Sequence, residues 1–117
     1  MASKLKEGTT RAFNIELLST TCKVNETLRN LSPRWKMQVL HSIHHGVRQF
    51  SLLKEAFPTI SDQILGKRLS ELVAEGLVFK TEVVNTVPQQ IAYTTTKKGE
   101  ELLKVVADLH QWEMRWQ

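Results

Sequence analysis

The clearest alternation of apolar and polar positions along the chain lies between Phe50 and Gly76. Apolar residues recur there at spacings of three and four, which predicts two amphipathic helices. Pro58 separates them, because proline has no N–H to donate and disfavours helical angles in the residue before it. Ser51 and Ser61 are the predicted N-caps of the first and second helix. The predicted buried residues are Leu52, Leu53, Ala56 and Phe57 in the first helix and Ile64, Leu65, Leu69, Leu72 and Val73 in the second.

The outer face of the second helix, which we predict over residues 61–75, carries small, polar or charged side chains. In a helix-turn-helix, the second helix lies in the DNA major groove with its N-terminal residues at the base edges. Glutamine and serine can read base edges, and lysine can contact guanine or phosphate. The candidate DNA contacts on this helix are Ser61, Asp62, Gln63, Lys67, Arg68 and Ser70. Helical hairpins with one polar face also occur in proteins that bind no DNA, so the neighbouring elements must decide.

After Gly76 the apolar period changes from that of a helix to that of a strand. Residues 77–84 and 90–95 are rich in β-branched and aromatic side chains, which predicts two strands joined by a turn. A hairpin directly after a candidate recognition helix is typical of the wing of a winged helix, predicted here over residues 77–95. An isolated hairpin is marginally stable in water, so this one must pack on the helices or on a ligand. Further candidate DNA contacts are Lys80, Thr86, Gln89 and Gln90 in the wing and Arg48 before the first helix.

The chain begins with two segments of weak pattern. Residues 1–8 lack periodicity and are expected to form a mobile tail. Residues 9–21 are predicted to be an arm or a short helix, in which Phe13 and Leu17 form an apolar face for a partner subunit.

Two further helices are predicted between this arm and the helix-turn-helix. One covers residues 25–30, and the other covers residues 34–45 and ends at Gly46. Ser32 is the predicted N-cap of the second, with Pro33 in its first turn.

The last predicted helix covers residues 97–116 and follows Thr96, its predicted N-cap. Its apolar residues recur at alternating spacings of three and four, the pattern of a heptad seam. Aromatic residues concentrate at subunit contacts, and two tryptophans lie near the end of this helix. We therefore predict a homodimer interface, with simple coverage of the domain core as the alternative. The predicted interface residues are Phe13, Leu17, Leu102, Val105, Leu109, Trp112 and Trp116.

Length and composition restrict the class of protein. The 117 residues suffice for one domain with a single core, predicted over residues 22–117. The net charge of +4 is compatible with a polyanionic partner such as double-stranded DNA. No apolar run approaches the roughly 20 residues of a membrane helix, and no charged-then-apolar leader opens the chain. We therefore expect a cytoplasmic protein without a membrane partner.

The sequence shows little that indicates catalysis or metal binding. It has no glycine-rich nucleotide loop and no nucleophile with a base in recognisable context. His41 and His45 lie one helical turn apart with His44 between them, but no carboxylate or cysteine adjoins them at ligand spacing. We predict no enzyme activity, no metal and no cofactor.

The predicted fold class is mainly α with a small β-hairpin, a winged helix-turn-helix with N- and C-terminal dimerisation elements. Its order and spacing of residues also carry a family resemblance. The residues concerned are Cys22, Arg34, Trp35, Gly46, Arg48, Phe50, Leu53, Ile60, Ser61, Leu65, Arg68, Leu69, Leu72, Glu75, Gly76, Leu77, Val78, Pro88, Tyr93, Thr96, Gly99 and Trp112. On these residues the chain resembles the HxlR-type family of bacterial transcription regulators, which are related in fold to MarR-type regulators. The resemblance implies a DNA-binding dimer, with the helix from Ser61 in the major groove and the hairpin as wing.

The chain departs from the family pattern at candidate contact positions. Gly66 stands where the family often has threonine, and Gln89 and Gln90 stand where a basic residue is frequent. These departures bear on contact strength and operator identity more than on the fold.

The single cysteine, Cys22, has two interpretations. The family that the chain resembles uses a cysteine at this position to sense oxidants or electrophiles, often through a disulfide between subunits. Such a thiol must be accessible and partly ionised. The alternative is a small, partly buried residue packed beneath the terminal helix.

Two functions remain open from the sequence. One is a sequence-specific DNA-binding transcriptional regulator that acts as a homodimer. The other is a winged-helix protein–protein interaction module without DNA-binding activity.

Overall fold

The computed structural model describes residues 3–83, 87 and 90–117, with side chains described from residue 11 onward. Within these residues there are five helices and one antiparallel hairpin. The elements are α1 (Ser3–Leu31), α2 (Lys36–His44), α3 (Phe50–Ala56), α4 (Asp62–Ala74), β1 (Val78–Val83), β2 (Gln90–Thr95) and α5 (Lys97–Arg115). The predicted fold class, mainly α with a small hairpin, is confirmed. Two predicted wing contacts, Thr86 and Gln89, lie outside the described residues.

Residues 1–33 form one compact unit, in which α1 is a single helix. The sequence predicted a tail over residues 1–8 and an arm or a short helix over residues 9–21, whereas α1 extends from Ser3 to Leu31. The side chains of residues 11–30 are all exposed. Because burial imposes no periodic apolar face on these residues, the pattern from which helices are predicted is weak here.

The threonines that were expected to weaken a helix in this region are accommodated within α1. The Thr20 hydroxyl donates to the Glu16 carbonyl at 3.0 Å. The Thr21 hydroxyl donates to the Leu17 carbonyl at 2.7 Å. Such bonds to the preceding turn let a threonine remain helical without leaving its hydroxyl unsatisfied.

The second compact unit comprises residues 34–117, and the predicted domain start at residue 22 stays a prediction. Ser32 belongs to the first unit, where its hydroxyl donates to the Arg29 carbonyl at 3.1 Å. The prediction that Ser32 caps the next helix is therefore wrong. Helix α2 instead follows Trp35, which makes no side-chain capping bond.

Trp35 has a left-handed backbone conformation, with φ of 75°. This conformation costs a residue with a Cβ roughly 1–2 kcal/mol, so neighbouring contacts must hold it in place. The Trp35 and Phe57 ring centroids are 6.1 Å apart, and the Arg34 guanidinium lies 4.9 Å from the Trp35 ring centroid. Ring packing with Phe57 and the cation–π contact with Arg34 thus stabilise the start of α2.

The core of the second unit lies between the helices and the hairpin. Its buried apolar residues are Val39, Leu40, Ile43, Leu53, Ile60, Leu65, Leu69, Leu72, Leu77, Val78 and Tyr93. Burial of the leucine stripe of α4 is confirmed. The prediction is wrong for Leu52 and Ile64, which are 44% and 36% exposed, and for Ala56, which is also exposed. These residues lie at the margins of their helices' apolar faces, beyond the width of the actual contact.

Of the four predicted N-caps, two are confirmed and two, Ser32 and Ser51, are wrong. The Ser61 hydroxyl accepts a hydrogen bond from the Ile64 N–H, and the Thr96 hydroxyl accepts one from the Gly99 N–H at 3.0 Å. Ser51 lies inside α3 and is not its cap.

The hairpin is anchored through the outer edge of β2. Its register runs from the Val78–Thr95 pair to the Val83–Gln90 pair. The Tyr93 N–H donates to the Arg48 carbonyl at 2.8 Å, which joins β2 to the segment between α2 and α3. The predicted requirement that the hairpin pack on the helices is met.

Helix α5 turns only part of its surface toward the core. Leu102 and Leu103 pack against the core, so Leu102 is separated from the rest of the predicted interface seam. The large apolar residues of α5 that remain exposed are Val105, Leu109, Trp112, Met114 and Trp116. None of the helices in the described residues has the length and apolar character needed to cross a lipid bilayer.

Candidate nucleic-acid interface

The N-terminus of α4 is held by its capping serine and by a lysine from α3. The Ser61 hydroxyl accepts the Ile64 N–H at 3.1 Å. Lys54 donates through Nζ to the Ile60 carbonyl and lies 3.5 Å from Asp62 Oδ1. Ser61 is therefore engaged by the helix itself, and the charge of Asp62 is partly balanced by Lys54. Sequence analysis missed this role of Lys54, because its contacts reach across the turn rather than along one helix.

Gln63, Lys67 and Ser70 form an exposed polar stripe on α4. Their spacings of four and three place them on one face of the helix, away from the buried leucines. Gly66 lies next to this stripe, and no neighbouring atom comes within 4 Å of the position that a Cβ would occupy there. The stripe therefore offers amide, ammonium and hydroxyl groups on an open surface.

Arg68 differs from these residues because its guanidinium is engaged within the fold. Its Nε–H donates to the Arg34 carbonyl at 2.8 Å, and Nη1 lies 2.8 Å from Glu71 Oε1. The side chain is only 12% exposed. We therefore leave Arg68 out of the surface that faces DNA in the proposal below.

The wing and α4 meet at a crevice that brings two predicted contact residues together. Ser70 lines it from α4 and Lys80 from β1, and its volume is about 260 Å³. Tyr93, the cross-strand partner of Lys80, also lines this crevice. Burial raises the pKa of the Tyr93 hydroxyl, so this group stays neutral at physiological pH and adds no negative charge beside Lys80.

The charge that remains on this surface is basic. Arg48, Lys67 and Lys80 are exposed, and none has an ion-pair partner among the described residues. Arg48 is placed beside the hairpin by the bond from Tyr93 N–H to its carbonyl. Exposed cations on a helix and its adjacent wing suit a phosphate backbone, because each contact releases condensed counterions.

The histidines of α2 contact one another but do not form a metal site in the described part of the chain. The His41 and His45 rings stack at 4.1 Å between centroids, and His45 Nδ1 lies 2.9 Å from the His41 carbonyl oxygen. His44 Nδ1 lies 3.2 Å from Thr95 Oγ1. These contacts hold the imidazoles against the helix and the hairpin.

Cys22 lies on α1 as an exposed free thiol. This exposure does not fit the alternative interpretation of a partly buried residue. Exposure is one of the two conditions for a reactive thiol.

Known proteins share both the sequence pattern and the fold. The sequence model of the HxlR-like helix-turn-helix family matches residues 30–117. The HTH-type transcriptional regulator YvaP of Bacillus subtilis, which is uncharacterised, is 34% identical over 86 residues, covering 74% of this chain and 79% of that protein.

Two solved regulators extend this similarity to three dimensions. The reduced form of the transcriptional regulator YodB from B. subtilis superposes with a TM-score of 0.70 at 29% identity, covering 77% of this chain and 87% of that one. YodB has also been solved after diamide treatment. The reduced redox regulator HypR superposes with a TM-score of 0.70 at 26% identity, covering 80% of this chain and 91% of that one, and HypR is also known in an oxidised form. The chain belongs to the HxlR-like helix-turn-helix family.

Proposed function

We propose that this protein is a sequence-specific DNA-binding transcriptional regulator that acts as a homodimer. Helix α4 enters the major groove, and the β1–β2 hairpin contacts the backbone or minor groove as a wing. The observation that carries the proposal is the exposed stripe of Gln63, Lys67 and Ser70 beside the basic wing residue Lys80. Family membership supports the same function, because YvaP and YodB are transcriptional regulators.

The contact residues divide by chemistry into two roles. Gln63 lies in the first turn of α4 with an exposed amide, and it is assigned to base edges. Lys67, Lys80 and Arg48 are assigned to phosphates, because exposed cations bind the backbone irrespective of sequence. Ser70 is assigned to the backbone beside Lys80. Thr86 and Gln89 remain candidates from the sequence.

The test is the binding of the full chain to duplexes that it enriches from a random-sequence library. The expected result is enrichment of a near-palindromic sequence, with affinity that falls steeply as salt is raised. A protein that enriches no sequence and binds no duplex even at low salt would contradict the proposal.

The two roles predict different responses to substitution. Gln63→Ala should reduce the preference for the enriched duplex over a scrambled duplex by about 100-fold, since one base contact worth about tenfold is lost in each of the two subunits. Lys67→Ala should weaken binding to both duplexes alike. The slope of log affinity against log salt concentration should become shallower by about one per subunit, because one phosphate contact is lost in each. Gln111→Ala, an exposed glutamine on α5, is the matched control and should change neither quantity. Equal losses on both duplexes from Gln63→Ala would contradict the assignment of base reading to that residue.

Homodimerisation is supported by apolar residues that the described chain leaves exposed. On α5, Leu109 and Trp112 are 53% and 55% exposed, and on α1, Phe13 and Leu17 are 61% and 52% exposed. Exposed apolar side chains grouped along one helix mark contact surfaces more often than free surface. A dimer would also present two copies of α4 to successive turns of the same duplex.

A response to oxidants through Cys22 is part of the proposal. Its support is the exposed thiol on α1 and the similarity to YodB and to the redox regulator HypR. The matched family residues begin at residue 30, so family membership alone does not assign a role to Cys22. With one cysteine per chain, a disulfide has to join two subunits, and diamide is reduced to the hydrazine as two thiols lose their hydrogens.

Diamide treatment should therefore produce a covalent dimer on a non-reducing gel and change the affinity for the enriched duplex. Dithiothreitol should reverse both effects, and Cys22→Ser should abolish both while leaving the affinity of the reduced protein unchanged. A wild-type protein that forms neither a covalent dimer nor a mixed disulfide with glutathione would contradict the sensing role of Cys22.

A protein–protein module is the second candidate, and the hairpin carries the observation that favours it. Phe79 on β1 is 60% exposed and Ile91 on β2 is 38% exposed. Apolar side chains on a wing suit a protein partner better than a phosphate backbone. Salt-dependent binding to duplex DNA separates the two functions.

A further inference from the structure

A buried ion pair joins the beginning of α2 to the end of α4. Lys36 Nζ donates to Glu75 Oε2 at 2.5 Å, although the two residues are far apart in the sequence. The Lys36 side chain is 2% exposed and that of Glu75 is 32% exposed.

Helix α4 is held by two further directional contacts, one at its middle and one at its C-terminal end. Arg68 Nε–H donates to the Arg34 carbonyl, two residues before Lys36. Lys98 Nζ, in the first turn of α5, donates to the Glu75 carbonyl at 2.7 Å. Residues 34–36 therefore hold α4 at two points.

The inner face of α4 consists of Leu65, Leu69 and Leu72, which are buried in the core. Apolar contacts are non-directional, so leucines alone permit a helix to tilt or rotate with small changes in energy. Hydrogen bonds weaken steeply when their angle departs from the preferred range. The polar contacts that Lys54, Arg68 and Glu75 make along α4 therefore restrict its orientation, and the Lys36–Glu75 pair contains the most buried charged group among them.

We propose that Lys36 and Glu75 are positioning residues for DNA recognition, which set the angle of α4 against α2 and thereby aim Gln63 and Lys67 at the groove. This inference rests on the proposed function. Gln63 lies about 18 Å along the helix axis from Glu75, at the usual rise of ~1.5 Å per residue. If Arg68 remains bound to the Arg34 carbonyl, a tilt of about 10° about Arg68, which lies ~7.5 Å along the axis from Gln63, would move Gln63 by ~1.3 Å. Recognition tolerates displacements of only about 0.5 Å.

The role can be separated from stability, because removing both charges together leaves no buried unpaired ion. Replacement of a buried ion pair by uncharged groups of similar volume is often neutral or stabilising for the fold. The test variant is therefore the double substitution Lys36→Met with Glu75→Gln. The matched control is Lys104→Met with Glu100→Gln, which makes the same change in charge on the exposed surface of α5.

The double variant should melt at a temperature equal to or above that of the wild type, and it should discriminate less between the enriched and the scrambled duplex. The preference for the enriched duplex over its scrambled counterpart should fall by about tenfold, equivalent to one good base contact. The salt slope should not change, because no phosphate contact is removed. An unchanged preference, or equal weakening on both duplexes accompanied by a lower melting temperature, would overturn the inference.

A second measurement decides the positioning role without DNA. Residual dipolar couplings of the α2 and α4 amides report the angle between the two helices in the free protein. The double variant should show a changed angle or averaged couplings in α4, and the control should match the wild type. If the wild type enriches no duplex, the proposed function fails, and the couplings alone decide whether the ion pair orients α4. Couplings in the double variant that match those of the wild type would overturn the inference in either case.

Discussion

Replacement of Gly99 by alanine is expected to lower the free energy of unfolding by about 3 kcal/mol, the upper range for overpacking of a tight contact. A Cβ on Gly99 would overlap the Leu77 carbonyl oxygen and lie 3.2 Å from the Leu77 carbonyl carbon and 3.5 Å from Leu40 Cδ1. These neighbours are backbone and core atoms, which cannot move aside as an exposed side chain can. The first turn of α5 would have to move away from Leu77, the residue before β1.

That retreat would break contacts beyond the overlap itself. The Leu77 carbonyl accepts the Thr96 N–H at 3.1 Å, and the Thr96 hydroxyl donates to the Gly76 carbonyl at 2.6 Å. Both bonds tie the start of α5 to the turn between α4 and β1. The wing would therefore lose part of its support, and DNA binding would weaken along with stability if the proposed function holds.

Thermal and urea unfolding measure the effect, which corresponds to a fall in melting temperature of roughly 10 °C or more. Gly66→Ala is the matched control, because no neighbouring atom lies within 4 Å of the added carbon and the residue lies inside α4. That substitution should stabilise the protein by about 0.5–1 kcal/mol through helix propensity. A Gly99→Ala variant as stable as the wild type would show that α5 does not approach β1 this closely.

The features that sequence analysis predicted correctly are those encoded by residues close together along the chain. Ser61 and Thr96 both cap the helices that they were expected to cap. In each case a side chain bonds an N–H three residues later, so the sequence alone carries the information. The leucine stripe of α4 and the strands of the hairpin likewise follow from local periodicity.

The features that could not be predicted from the sequence depend on contacts between residues far apart in the chain or on an unusual backbone conformation. The left-handed Trp35 is held by Phe57 and Arg34, and nothing in a tryptophan itself favours that backbone conformation. The Lys36–Glu75 pair joins residues on two different helices, so no spacing rule reveals it. Helix α1 was not predicted as a single helix, because its exposed side chains lack the apolar periodicity that burial imposes.

The candidate interface shows the same division. Gln63, Lys67 and Ser70 follow from helical spacing and do share one exposed face. Arg68 lies next to them in the sequence, but the Arg34 carbonyl and the Glu71 carboxylate draw its guanidinium into the fold. The polar face of a predicted helix therefore indicates where an exposed surface lies, but it does not show which individual side chains on that face are free to make contacts.

Trp112→Glu is expected to convert the protein from a dimer to a monomer and to weaken binding to the enriched duplex by about 100-fold or more. Trp112 lies among the exposed apolar residues of α5, where 55% of its surface remains accessible within one chain. Buried tryptophans at subunit contacts are commonly worth 2 kcal/mol or more, and a carboxylate in their place adds a desolvation cost. DNA affinity falls with the dimer, because linking two recognition helices raises affinity by about 10²–10⁴ over either alone.

Sedimentation equilibrium measures the mass, and titration of the enriched duplex measures the affinity. Gln111→Glu introduces the same charge at the neighbouring exposed position of α5, so it should remain dimeric and retain its affinity. Circular dichroism and melting should show the Trp112→Glu monomer still folded, since the core of residues 34–117 does not include Trp112. A variant that stays dimeric would place the subunit contact away from the C-terminal half of α5. A monomeric variant with undiminished affinity would show that one copy of α4 and its wing suffices to bind the site, and the palindromic arrangement would then have no role in recognition.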